Sequence, residues 1–217
     1  MRKILIVGAG QSGLQLALGL QDRGYQVTVI SDRTAEELRA GHVMSTQCMF
    51  DTALGHERDL GLNLWDAETP RVRGVGVSVA ARDGGRAVDW VGRLDASAQS
   101  VDQRIKMAAW LEIFAERGGH VVVHPVTVSD LEWYGQRYDL VLLAAGKGPL
   151  AAMFARDRAR SPYDRPMRSL AVAYVHGLGP RPEHDFAAVR CNLVPGVGEL
   201  FVMPALTVSG PCDILFV

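Results

Sequence analysis

Six residues near the start of the chain, Gly8-Ala9-Gly10-Gln11-Ser12-Gly13, set the strongest limit on the fold, because they fit G-x-G-x-x-G in a telling context. Lys3 to Val7 is a short β-branched apolar run, Leu14 to Leu20 has helix-forming composition, and Gln26 to Ile30 is apolar again. That order reads β-α-β. Gly24-Tyr25 parts the helix from the second strand, as a glycine past a helix end commonly does. Both strands are nearly continuously apolar, the pattern of a parallel sheet covered by helices on both faces. In such a turn the first glycine permits the bend, the second lets backbone approach a pyrophosphate, and the third lets helix and strand pack closely. The helix N-terminus, with its outward N–H groups and dipole, favours the phosphates. Gly8, Gly10, Gln11, Ser12 and Gly13 are therefore the candidate dinucleotide-binding residues.

The carboxylate that holds a ribose is expected about 20 residues further on. After QVTVI its usual position holds Ser31, and Asp32 follows. Asp32 is the candidate from a shifted position; its alternative is a helix N-cap or a solvated loop acid. Arg33 covers adenine or a phosphate, or is a surface arginine.

Beyond residue 35 the pattern predicts a helix near Ala35 to Arg39, a polar loop (HVMSTQCMFD) and another helix before Asp66. Val72 to Val79 alternates like a strand, Asp83-Gly84-Gly85 is a turn signal, and Ala87 to Val91 returns, giving a hairpin. Ser100-Val101-Asp102-Gln103 has capping-box spacing ahead of a helix that runs to Arg117 and stops at Gly118-Gly119. His120 to His124 is a short strand and Tyr138 to Ala145 a buried one. Past Arg156, Leu170 to Val175, Ala187 to Leu193 and Glu199 to Val208 are strand-like, so a β-rich domain is expected from near residue 150. The last residues, Asp213 to Val217, look like a strand cut in mid-course, which suggests the N-terminal part of a longer protein.

Several function classes lose ground. With 23 basic and 24 acidic side chains the chain carries no broad cationic field for nucleic acid. Cys48, Cys191 and Cys212 lack C-x-x-C spacing, so neither a disulfide framework nor a zinc site is indicated, and a reducing cytoplasm fits. Gly8 interrupts the opening apolar run too early for a signal peptide, and no run reaches the ~18 residues of a membrane span. His120 and His124 stand four apart, but on a strand that is no metal pair. No catalytic triad or P-loop is present. No Tyr-x-x-x-Lys pair occurs either, while Tyr138 to Gly146, an aspartate and apolar strand ending in A-x-G, resembles a segment that flavoproteins use near the nucleotide, which favours FAD over NAD. Ala145 and Gly146 thereby join the candidates. Arg104 stands where many flavin hydroxylases place a cofactor-contacting arginine, or is an exposed helical cation.

The stretches VGAGQSGL (7–14), SDRTAEE (31–37), SVDQRIKMAAWLEIFAERGG (100–119), YDLVLLAAGKGPLAAMF (138–154), SPYDRPMRSLAV (161–172) and GELFVMPAL (198–206) together resemble the styrene and indole monooxygenase family. That resemblance implies an α/β protein: a Rossmann-type, glutathione-reductase-like FAD-binding domain over 1–70 and 96–148, and an incomplete β-rich substrate-binding domain over 71–95 and 149–217. It implies an oxygenase component that receives reduced FAD from a separate NADH-dependent reductase. Oxygen adds at flavin C4a, and the hydroperoxide transfers one oxygen atom to an aromatic alkene, so no catalytic side chain is needed. It further implies a homodimer. His42, Ser45 and Met49 replace the Arg, Asn and His of styrene-preferring members. Ser45, Gln47 and Met49, with Val75 and Ala98, look like the indole-preferring subgroup, so indole is the first expected substrate and styrenes follow. The family extends about as far again, with a later Gly-Asp segment that contacts FAD and has no counterpart here. The competing readings are a nicotinamide-dependent oxidoreductase on the same βαβ unit and a non-catalytic nucleotide-binding fragment.

Overall fold

The computed structural model describes residues 1–44, 47–146, 148–179 and 182–217. They form two compact units, residues 1–44 with 103–165 and residues 45–102 with 166–217.

The first unit opens as expected: β1 (Lys3–Val7), α1 (Gln11–Asp22) and β2 (Gln26–Ser31), followed by α2 (Ala35–Ala40). In the second unit α3 (Asp51–Asp59) precedes a hairpin of β3 (Val72–Ala80) and β4 (Arg86–Ala98). The chain then returns to the first unit through α4 (Gln103–Glu116), β5 (His120–Val123), α5 (Val128–Gly135) and β6 (Leu140–Leu143). A short 3-10 turn, Ala151–Met153, follows. The second unit ends with β7 (Val172–Val175), β8 (Ala188–Val194), β9 (Gly198–Thr207) and β10 (Gly210–Phe216).

All four strands of the first unit are parallel, in the order β5-β2-β1-β6. Leu5 and Val7 pack on one face with Ile30, Leu150, Leu131 and Tyr134. Leu14, Leu18, Trp110 and Phe114 are 0–1% exposed. Each such side chain contributes roughly 1.5–3 kcal/mol through burial. Because both faces are covered, the strands carry no polar alternation. Gly118, at φ +85°, closes α4 as the paired glycines predict.

The second unit is a six-stranded sheet, β4-β3-β8-β9-β10-β7, antiparallel except where β3 meets β8. Its β3 needs two glycines. A β-carbon on Gly74 would run into the Phe186 ring, and one on Gly76 would lie 2.7 Å from Cδ of Arg190. Arg190 is 3% exposed and reaches Asp89 at 3.1 Å.

Three expectations need correction. The spacing at Ser100 suggests a capping box, yet Ser100 to Asp102 runs beside β9: Leu206 N donates to Ser100 O, and Asp102 N to Leu206 O. The Thr207 hydroxyl donates to the Asp102 carboxylate at 2.7 Å, so this segment is pinned to the sheet and the helix starts only at Gln103. True boxes occur at Thr34 with Glu37 and at Thr127 with Asp130. The returning strand extends to Ala98, well past Val91. The units also divide elsewhere than at 70/71, 95/96 and 148/149. Met49 and Gln99 exchange both backbone hydrogen bonds, which ties the segment after residue 44 to the second unit, while buried Leu150 keeps the segment after 148 in the first. No helix among the described residues is long and apolar enough to cross a membrane.

Candidate functional site

The glycine turn sits where β1, β2 and β6 end together. Gly8 N donates to Ile30 O and Ala144 N donates to Val7 O, both at 2.8 Å. Gly8 adopts φ +118°, and a β-carbon there would stand 2.5 Å from the carbonyl oxygen of Ala144. A β-carbon on Gly13 would strike the carbonyl oxygen of Gly8. Strand, turn and helix are thus in contact with no space for a side chain at either position.

Gly10 differs. A β-carbon there would meet nothing within 4 Å. It is the N-cap of α1, in extended geometry, and the first internal bond runs from Leu14 N to Gly10 O at 2.9 Å. The amides of Ser12 and Gly13 precede that bond, where a helix presents N–H groups and positive potential. No acidic residue lies in the first turn to compete with a phosphate. Gln103, only 4% exposed, donates from Nε2 to Oε1 of Gln11 at 3.1 Å. This arrangement fits a pyrophosphate: open backbone in front of the helix, close packing behind it.

At the end of β2, Ser31 at the usual carboxylate position and the candidate Asp32 differ in what they already bind. Ser31 is 2% exposed; its hydroxyl donates to Arg33 O at 2.6 Å and accepts from Arg33 N at 3.2 Å. That hydroxyl shapes the local turn. Asp32 has a side chain 69% exposed, which pairs with Arg33 Nε at 3.5 Å. The N-cap of α2 is Thr34, so Asp32 is not spent on capping. Arg33 also reaches Met44 Sδ at 3.4 Å.

Arg104 is half-buried on α4 and donates to Gly41 O at 3.4 Å, so it steadies the chain just after α2. His42 is exposed in that same stretch. Ser45 lies outside the described residues. Gln47, Met49, Val75 and Ala98 belong to the second unit, His42 to the first. Met49 bridges to Gln99, Val75 lies in the middle of β3 opposite Gly92 and Val189, and Ala98 is 0% exposed. Ala145 and Gly146 follow β6 directly, Gly146 at φ +68° with open space around it. Asp139, by contrast, stands at the other end of β6, where its carboxylate accepts from Lys3 N at 2.6 Å. Its role is to set strand register.

None of these residues forms a nucleophile and base. Burial pushes the Cys48 thiol up to about 11, and the thiol packs beside Met203 and Cys212. Among the described residues no group of three His, Cys, Asp or Glu could hold a metal. Two contributors escape motif reading. Gln103 is signalled only as a polar residue at the buried start of a helix, and Ala144 only as a small residue at a strand end.

Comparisons with known proteins agree with this geometry. Residues 146–217 match the family described as "Styrene monooxygenase A putative substrate binding domain", and residues 3–42 match "Pyridine nucleotide-disulphide oxidoreductase". The chain is 31% identical over 209 residues to styrene monooxygenase StyA of Pseudomonas fluorescens, covering 96% of this chain and 49% of that protein. A second StyA, from Pseudomonas sp., matches to the same extent. The chain thus spans about half the length of these curated relatives. In fold it resembles the flavin-dependent brominase Bmp2 (TM-score 0.70, 14% identity, 99% of this chain and 55% of that one). It likewise resembles the flavin-dependent halogenase CmlS (TM-score 0.68, 17% identity, 99% and 41%).

Proposed function

We infer that this chain, which belongs with the styrene monooxygenases as a match to their N-terminal half, provides the nucleotide cradle and part of the substrate region of an aromatic monooxygenase. The cofactor is FAD. The observation that carries the reading is the contrast between Gly8 and Gly13, closed against backbone, and Gly10, open at the head of α1.

In this reading the pyrophosphate rests on the amides at the start of α1, and Gln11 and Ser12 border it. Asp32 would accept hydrogen bonds from the adenosine ribose, and Arg33 would serve adenine or a phosphate. Arg104, Ala145 and Gly146 would help to hold the rest of the cofactor. Reduced FAD and O2 together supply the transferred oxygen atom. The protein's share is to bind, orient and keep water away. His42, Ser45, Gln47, Met49, Val75 and Ala98 are the proposed substrate-selecting residues by their types, which favour indole over styrene. A separate NADH-dependent reductase supplies the reduced flavin, and the working enzyme is a cytoplasmic homodimer.

The test is direct: protein with FAD, a flavin reductase, NADH and air converts indole to blue pigment and styrene to styrene oxide. Absence of both products rejects the reading. The match of residues 3–42 to a pyridine-nucleotide family favours a second reading, direct use of NAD(P)H. Quenching of nicotinamide fluorescence by the protein alone would support that alternative.

A further inference from the structure

We propose that the N-terminal edge of the parallel sheet carries a second binding site, for a small planar aromatic carboxylate. A groove of about 380 Å³ opens there. Its floor is made by the first residues of three adjacent strands, Lys3 of β1, Gln26 of β2 and His120 of β5, together with Thr28. Its wall comes from α5 and the turn after it: Trp133, Arg137 and Tyr138.

Every floor residue offers a hydrogen-bond donor, and among the described residues that line the groove none is a carboxylate. The neighbouring acid, Asp139, already accepts from Lys3 N. Arg137 is held in place: its guanidinium carbon lies 3.8 Å above the Trp133 ring, and Nη1 donates to Trp133 O at 3.1 Å. A guanidinium ordered in advance loses little entropy when it binds an anion. Tyr138 is braced edge-on by Tyr134 at 6.3 Å. Two fixed aromatic surfaces beside three basic nitrogenous side chains suit a ring that bears one negative group. The volume suits a small molecule. Five residues of β1 separate this site from the phosphate turn, so it lies roughly 13 Å away, at the opposite end of the same strands.

Isothermal titration of the FAD-saturated protein with 1-naphthoate tests the assignment. Saturable binding is expected, with affinity at least about fivefold lower in Arg137→Gln and in Lys3→Gln while FAD affinity and circular dichroism stay unchanged. Lys3→Gln, at an exposed position, keeps the test decisive should Arg137→Gln disturb α5. Equal affinity for neutral 1-naphthalenemethanol, wild-type affinity in folded variants, tighter binding of AMP, or no saturation would each overturn it.

Discussion

Gln103 of α4 and Gln11 of α1 are joined side chain to side chain at 3.1 Å, so the first turns of two helices are fastened together beside the phosphate turn. The pair couples the place where α4 begins to the backbone proposed to receive the cofactor.

Replacing Gln103 by Ala should therefore weaken FAD binding while leaving the sheet intact. A neutral hydrogen bond of this kind is worth about 0.5–1.5 kcal/mol, so the dissociation constant should rise roughly threefold to tenfold. Fluorescence titration of FAD checks it, and an unchanged constant would remove Gln103 from the site.

The three glycines of the turn should part into two classes. Gly13→Ala drives a methyl into the Gly8 carbonyl and should cost about 1–3 kcal/mol of stability, as overpacking does. Gly10→Ala meets open space in an extended conformation, so thermal unfolding should shift much less. Its effect belongs to the cofactor instead, since the methyl would occupy the approach to the pyrophosphate. Melting curves and FAD titrations on both variants decide, and equal effects in the two assays would refute the division.

Asp89 gives the fold a pH dependence. The hydrogen bond from Arg86, at 2.5 Å, holds its carboxyl below the usual range, and Arg190 adds to this. With the folded value below 3.8, the carboxylate stabilises the protein above that pH and loses its contribution as pH falls through the folded value. Asp89→Asn should accordingly be less stable than the parent at pH 7, and the gap should close below about pH 4. Denaturant unfolding at a series of pH values measures it; a gap that stays constant contradicts the assignment.

The cysteines should be poor nucleophiles. Burial raises Cys48 and Cys212 from 9.0 to about 11. At pH 8 their thiolate fraction is then roughly a hundredth of that of an ordinary thiol. Alkylation by iodoacetamide, followed by mass spectrometry, should be slow at pH 8 and accelerate towards pH 11. Because the folded values are raised, the stability linked to these neutral thiols is present below pH 9 and lost between pH 9 and about 11.

The opening βαβ unit was legible because local chemistry and tertiary demand agree there. Lys3 to Val7 and Gln26 to Ile30 are mostly apolar because both sheet faces are buried, and Gly8 and Gly13 occupy positions where close backbone contact leaves no space for a side chain. The hairpin, α4 and β6 could be read for the same reason. The helix α5 could not: VSDLEWYG is short, with one β-branched residue, two aromatics and a glycine, and its local sign is the Thr127–Asp130 box. Ser100 misled because a distant strand, β9, claims its backbone. The ribose carboxylate was ambiguous in sequence; the Ser31 hydroxyl is engaged with the Arg33 backbone, which leaves Asp32 as the proposed candidate. The basic and aromatic groove had no sequence signature, since its parts come from four separated segments.

The interleaving of the two units also dictates an order of events as the chain emerges from a ribosome. β1 can find β2 almost at once, but its other edge stays open until β6 arrives, and the contact between Lys3 and Asp139 spans 136 residues. The hairpin that belongs to the other unit is synthesised in between. Closing so long a loop is slow, and an unpaired central strand invites association with other chains in the meantime. Nascent chains that stall before residue 140 should therefore depend most on chaperones.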